Sequence, residues 1–281
     1  MIVLSIVVPS YNQGAFLEEA LQSVVSQTTS EVEVLVMDGG STDGSCDVIR
    51  KYEKELYYWQ SAQDRGQSDA INQGFRKARG AYVTWLNSDD VLLAGAIASI
   101  LSMIRRYPDC HWFLGNVLWM NKDGEIIRAG KVEKECWFWN KRYLFSNGGP
   151  SAVMRRQALL DIGALREDFH YMMDTELWCR FLLQGYPFRR IGHYLWGLRL
   201  HEQAKMSGHN FSESPFANKT HSSWKQKRKE HEFLVKTYHQ DVLARYIWRL
   251  LKLFSYEYYS RGRDHRALVG KNVRDVNLCE R

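Results

Sequence analysis

An α/β domain on a doubly wound, mainly parallel sheet is the fold this sequence predicts, with a helical extension at its C-terminal end. Three observations predict it. Between Ile2 and Asp90, apolar runs of strand length alternate with segments of helical period. Acidic residues gather where those runs end, and from Trp224 onward the chain turns basic, aromatic and helical in pattern. Strands separated by helices imply parallel pairing, and such sheets hold ligands at the strands' carboxyl ends.

The elements follow in order. IVLSIVVPS (Ile2 to Ser10) is a nearly continuous apolar run, as expected of a strand buried on both faces. After a turn at Tyr11 to Gly14, the stripe Phe16, Leu17, Ala20, Leu21, Val24, Val25 has helical spacing. VEVLVMD (Val32 to Asp38) is a second buried strand, and GSCDVIRKY opens a helix with Ser45 as its expected N-cap. Tyr57 to Ala62 reads as a short third strand, SDAINQGFRKARG as a helix closed by Gly80, and Ala81 to Asn87 as a fourth strand. Further on, HWFLGNVLWM and the residues after NKDGE suggest an antiparallel hairpin, and Trp137 to Gly149 a loop. RRQALLDIG and DTELWCRFLLQG read as helices, and FRRIGHYLWGLRLH as a strand. The expected organisation is a domain over residues 1–206, a Ser-, Asn- and Gly-rich linker over 207–223 and a tail over 224–281.

Composition narrows the class. A chain of 281 residues, 45% hydrophobic and 25% charged, holds one large domain without needing staples. The net charge of +6 is unevenly spread: Lys219 to Arg281 carry 15 Lys and Arg against 7 Asp and Glu. The remainder is slightly acidic, which argues against a nucleic-acid surface on the main domain. Five scattered cysteines without CxxC spacing argue for a reducing compartment and against a structural zinc site. With no apolar leader and no run long enough to span a bilayer, a cytoplasmic protein is expected.

The chemistry concentrates at strand ends. Asp38 ends the second strand, Asp64 follows the third, and Asn87-Ser88-Asp89-Asp90 ends the fourth. Separate loops delivering carboxylates to one edge suit a hard cation and, through it, a diphosphate. Any one of these acids is explained as a cap or turn residue; three at consecutive strand ends are not. DGGSTDG lacks the alternating ligands of an EF-hand and the GK[ST] ending of a P-loop, and neither GxGxxG nor GxSxG is present.

SIVVPSYNQG, VMDGGSTDGS, DRGQSDAINQG, LNSDD and MMDTELWCR, in this order across residues 2 to 202, resemble the successive blocks of the family 2 inverting glycosyltransferases of GT-A fold. The resemblance implies a nucleotide-diphosphate sugar donor, a sugar or lipid-linked saccharide acceptor, and Mg2+ or Mn2+. It places Pro9, Tyr11 and Asp38 at the donor's base and ribose, and Asp64 and Arg65 near the nucleotide and diphosphate. Asp89 and Asp90 fall on the DxD-type motif. Asn87 stands at its first acidic position, a departure that leaves Asp90 as the main metal ligand and Asp89 facing the ribose or donor sugar. Asp174 matches the catalytic base, although Met173 stands where the family commonly has Glu; Glu176 is the reserve. His201 resembles a His near the metal or diphosphate, and Gly148 to Ser151 a loop near the sugar.

Two other readings remain open: a sugar-nucleotide nucleotidyltransferase, disfavoured by the lack of any base in SYNQGAFLEE, and an inactive module of the same fold. The tail has three readings: peripheral contact with an anionic membrane at its inner face, docking on the domain, or a homodimer interface.

Overall fold

The computed structural model describes residues 1–132, 152–202, 204–205, 222–238 and 256–276. The expected loop at Trp137 to Gly149, the Gly148 to Ser151 loop, residues 207–221 of the expected 207–223 linker and the tail stripe from Val242 to Phe254 lie outside these residues, while Ser222 and Ser223 at the linker's end are already helical.

Four parallel strands form one half of the sheet: β1 (Leu4–Ser10), β2 (Val32–Asp38), β3 (Tyr58–Ser61) and β4 (Tyr82–Trp85), in the order β3-β2-β1-β4. The other half is mixed. It adds β8 (Ala152–Arg155), β6 (Trp112–Met120), β9 (Arg189–Arg199) and the two-residue β5 (Val91–Leu92). β7 (Ile126–Gly130) folds back on β6 as the expected hairpin, taking over along β6 where β8 leaves off.

All seven residues of β1 and of β2 are buried, so both faces are covered. One face of the sheet, with Val7, Met37, Val83 and Trp85, packs under α3 (Gln67–Lys77), α5 (Arg156–Asp161) and α6 (Met173–Leu183). The other, with Ile6, Val8, Val34 and Val36, packs under α1 (Gly14–Val25) and α4 (Ala96–Arg106). The strict alternation of these residues is the strand period expressed twice, once for each layer. Helix α3 comes unusually close: a Cβ on Gly74 would fall 2.4 Å from a Val7 methyl.

Some sequence expectations are corrected. Ser45 is the first helical residue of α2 (Ser45–Lys51), not its cap; Gly44, with φ +92°, holds that position. The Ser45 hydroxyl and amide both donate to Asp43, whose other oxygen accepts from the Gly14 amide that opens α1. Helix α3 stops at Lys77, before Gly80, because Ala78 turns extended. β5, α4 and β8 are absent from the sequence reading.

The described tail docks on the domain. α7 (Ser222–Thr237) buries Leu234 in the same core cluster as Leu177 and Trp178. After α8 (Tyr256–Leu268), the backbone of Gly270, Lys271 and Val273 bonds to Gly124 and Ile126 of the hairpin. No helix among the described residues is long and apolar enough to cross a membrane.

Because Val7 is stiff and buried, it cannot yield to a larger neighbour. Gly74→Ala is therefore expected to cost about 1–3 kcal/mol in denaturant unfolding, without changing the secondary structure seen by circular dichroism.

Candidate active site

Parallel register places Ser10 opposite Asp38 and Asp38 opposite Ser61, so three loops leave the sheet along one edge. The first loop turns at Asn12, a non-glycine residue with φ +51°. Its amide donates to Ser41 Oγ (2.8 Å), and its side-chain oxygen accepts from the Thr42 amide (2.9 Å), which knits the first loop to the second. Tyr11, beside it, is 62% exposed and offers an open aromatic face. Pro9 is buried within β1, beyond the point where pairing to β4 stops at Val7–Trp85.

The Asp38 carboxylate is buried and accepts from the amides of Gly40 and Ser41 and from the hydroxyls of Ser41 and Ser61 (2.5–3.1 Å). Burial works against its charge, but these donors outweigh burial and hold the carboxyl below the usual range. Asp64 joins from the third loop. A Cβ on Gly39 would lie 2.7 Å from its Oδ2 and 3.3 Å from the Tyr11 ring, so Tyr11, Gly39 and Asp64 surround one spot that only glycine leaves free. Arg65 is less available. Its guanidinium binds Asp69 at 3.0 Å and Glu167 at 2.9 Å, while remaining exposed.

The acidic loop after β4 is ordered by a residue the sequence reading missed. Arg199, at the end of β9, is buried. Its amide donates to Asp90 Oδ1, and its guanidinium to the Asp89 carbonyl, the Lys122 carbonyl and Glu19 (2.6–3.0 Å). The only sequence signal was a cation inside a buried strand, two residues before His201.

The other Asp90 oxygen accepts from Asn87 Nδ2 (2.9 Å). Burial first, and the Asp89 charge second, push the Asp90 carboxyl well above the usual range. Asp90 is thus walled in, and Asp89 is the more open of the pair: its carboxylate keeps 18% exposure and lies 3.1 Å from His201 Nε2. Of the two, Asp89 is therefore the carboxylate that the geometry leaves open to a ligand. Among the described residues no three His, Cys, Asp or Glu side chains form a ready-made cage. One carboxylate beside one imidazole nevertheless fits an ion that takes its remaining ligands from a diphosphate and water. The Phe16 ring, 4.5 Å away, fixes the His201 ring from behind.

The residue before Asp174 meets the start of α3. Ser68 in the first turn of α3 touches Met173 (2.9 Å), and Lys205 Nζ donates to Gln67 Oε1, whose amide nitrogen donates to Asn87. Lys205 remains in contact with solvent as a residue, yet crowding of its ammonium pushes it down to about 8, with Asp174 and Glu230 acting the other way. Asp174 Oδ1 accepts from the Thr175 amide at 2.6 Å. Glu176 is fully buried, paired to Arg180 at 2.7 Å and bonded to Tyr238, so the reserve candidate is a structural charge. Trp178 stacks between Trp85 and Trp112 with ring centroids 6.1 and 5.2 Å away, a core role. A cavity of about 600 Å³ lies at the strand-starting edge, lined by Tyr107, His111, Phe188 and Arg189, and contains none of these residues.

The sheet order and the acidic loops at its edge define the GT-A glycosyltransferase fold. A pattern for glycosyl transferase family 2 matches residues 5–163, and the chain belongs to that family. It is similar to the GalNAc(5)-diNAcBac-PP-undecaprenol beta-1,3-glucosyltransferase of Campylobacter jejuni, 29% identical over 62% of this chain and 58% of that protein. It also resembles the glycosyltransferase GlyG of Streptococcus pneumoniae, 30% identical over 41% of this chain and 38% of the other. The chain thus matches less than two thirds of the length of either relative. In fold it is similar to S. aureus TarS in complex with UDP-GlcNAc (TM-score 0.57, 19% identity, 74% of this chain and 61% of that one). It is also similar to the mannosyltransferase PcManGT of Pyrobaculum calidifontis with GDP-Man and Mn2+ (TM-score 0.55, 18% identity, 82% and 69%).

The depressed Asp38 has a sign that can be checked. Its stabilising contribution is present above about pH 4, its unfolded value, and is lost as pH falls through the lower folded value. Ser61→Ala removes a 2.6 Å donor. The difference in melting temperature between parent and variant is expected to be largest at pH 7 and to shrink toward pH 3.

Proposed function

We propose that the chain transfers a sugar, with inversion, from a nucleotide-diphosphate sugar to an acceptor hydroxyl in glycan assembly. The single observation that supports this best is the arrangement at one sheet edge. Tyr11, Gly39 and Asp64 close around one spot, Asp89 pairs with His201, and Met173, the residue before Asp174, meets Ser68 at the start of α3, where Gln67 bonds to Asn87.

In this reading Tyr11 packs on the base, Asp38 and its loop hold the base and ribose, and Asp64 borders the nucleotide. Asp89 and His201 hold Mg2+ or Mn2+, and Asp90 braces Asp89 through Arg199. An ion held there by Asp89 and His201 would supply positive charge to offset that on the departing diphosphate. Asp174 accepts the acceptor hydroxyl's proton as that oxygen bonds to the anomeric carbon, and the bond from that carbon to the diphosphate breaks on the opposite side. An acceptor carried on a lipid, as in the name of the Campylobacter relative, would bring the protein to the inner face of a membrane.

A thermal-shift screen of UDP-, GDP-, dTDP- and CMP-sugars with and without Mn2+ tests donor binding, since a ligand that binds only the native state stabilises it. One base should stabilise the parent more with Mn2+ than without. Asp89→Ala should lose the Mn2+-dependent part. No stabilisation by any sugar nucleotide would count against the reading.

Turnover tests the base. Asp174→Asn should keep donor stabilisation and lose roughly 10²- to 10⁴-fold in release of nucleoside diphosphate. Release of pyrophosphate instead would point to a nucleotidyltransferase.

A further inference from the structure

The turn that leads into α6 is held from outside. Its last residue before the helix, Met172, makes no side-chain cap, and the Asp174 carboxylate turns to its own neighbour, Thr175. The amides of His170, Tyr171 and Met172 instead converge on one carboxylate, Glu230 of helix α7 in the tail. Glu230 Oε1 accepts from His170 (2.9 Å), and Oε2 accepts from Tyr171 (2.9 Å) and Met172 (2.8 Å). Gln226, one turn earlier on α7, donates to Oε1 at 2.9 Å. Glu230 is buried, so its hydration has been replaced by these four donors. A carboxylate at a helix start also meets the positive end of the helix dipole.

The rest of the same helix face grips α6 further along. Leu234, one turn after Glu230, is fully buried in the same core cluster as Leu177 and Trp178, and Phe233 meets the Phe169 ring edge-on at 5.5 Å. One turn later still, the Tyr238 hydroxyl donates to Glu176 Oε1 at 2.5 Å. Glu176 passes the load to Arg180, which binds the carbonyl of Ile162 at 2.6 Å. Residues 230, 234 and 238 fall at helical spacing, so one stripe of α7 touches the chain before Asp174, the core beneath it and the residue two positions after it.

We propose that Glu230 is a positioning residue for the transfer reaction: by gathering the three amides of His170–Met172 it sets the first turn of α6, and with it the placement of Asp174 against the acceptor. The inference rests on Asp174 being the base. It assigns helix α7 a part in the reaction through the turn that it holds.

Glutamine at this position keeps the shape but offers a donor where two amides need an acceptor, so Glu230→Gln should release the turn. Aspartate keeps the charge on a shorter stem, so Glu230→Asp should release it less. Both are assayed in the full chain with the sugar nucleotide and Mn2+ that the screen above selects, well below the melting temperature of each variant. In Glu230→Gln, kcat is expected to fall on the order of 10- to 100-fold, as small misplacements of a reacting group do. Glu230→Asp should lie between it and the parent. The donor's KM and its Mn2+-dependent thermal stabilisation should stay within about twofold, because binding energy that acts equally in ground and transition states is not touched.

A kcat equal to the parent's in the Gln variant, even with a lowered melting temperature, overturns the proposal and leaves Glu230 as a structural residue. So does a loss in which the donor's KM and kcat change together. If Glu230→Gln does not fold, Glu230→Asp decides by the same two readings. Asp174→Asn runs alongside: if it retains turnover, the base assignment fails and this inference with it. If it is inactive while both Glu230 variants match the parent, only the inference made here fails.

Discussion

Register is the constraint on which the site depends. Parallel hydrogen bonding sets Ser10, Asp38 and Ser61 level with one another, so three loops must leave the sheet at the same height. A slip of one residue in β2 would turn Asp38 to the opposite face and break the loop-to-loop bonds among Asn12, Ser41 and Thr42. The apolar residues that fix this register alternate between two cores, one under α3 and α6, the other under α1 and α4. The burial that makes the domain stable and the alignment that makes the site are therefore one arrangement.

Charge is handled in two ways along that edge. Asp38 and Glu230 are buried with donors on both oxygens, and each organises a turn of backbone. Asp90 is buried between Arg199 and Asn87 while a second carboxylate sits next to it, so burial first and the Asp89 charge second raise its carboxyl above the usual range. In the proposed reading, a cation at Asp89 and His201 would relieve that repulsion. Arg199 makes this arrangement stiff by tying the loop to α1 through Glu19 and to the hairpin through Lys122.

Much of this was legible in the residues. Buried strands announce themselves as unbroken apolar runs, and β2 falls on Val32–Asp38 as read. The helix Ala96–Arg106 carries an equally plain stripe in Ile97, Ile100, Leu101 and Ile104, but its start is marked only by Gly95, and no motif drew the eye to it. β5 and β8, of two and four residues, are too short for periodicity to mark. Which of two adjacent aspartates faces outward could not be read locally, because the answer is an amide at Arg199, 109 positions away. Glu230 was hidden for a similar reason: one acid in a basic tail looks like a solvated charge until a distant turn is folded against it.

A crystal structure of the full chain with Mn2+ and a bound sugar nucleotide tests the central claim most directly. The account predicts the base against Tyr11 with Asp38 beneath, the ion on Asp89 and His201, and the Asp174 carboxylate across the sugar from the diphosphate. A nucleotide seated elsewhere, for instance in the cavity beside His111 and Arg189, or an ion bound without Asp89, would contradict it.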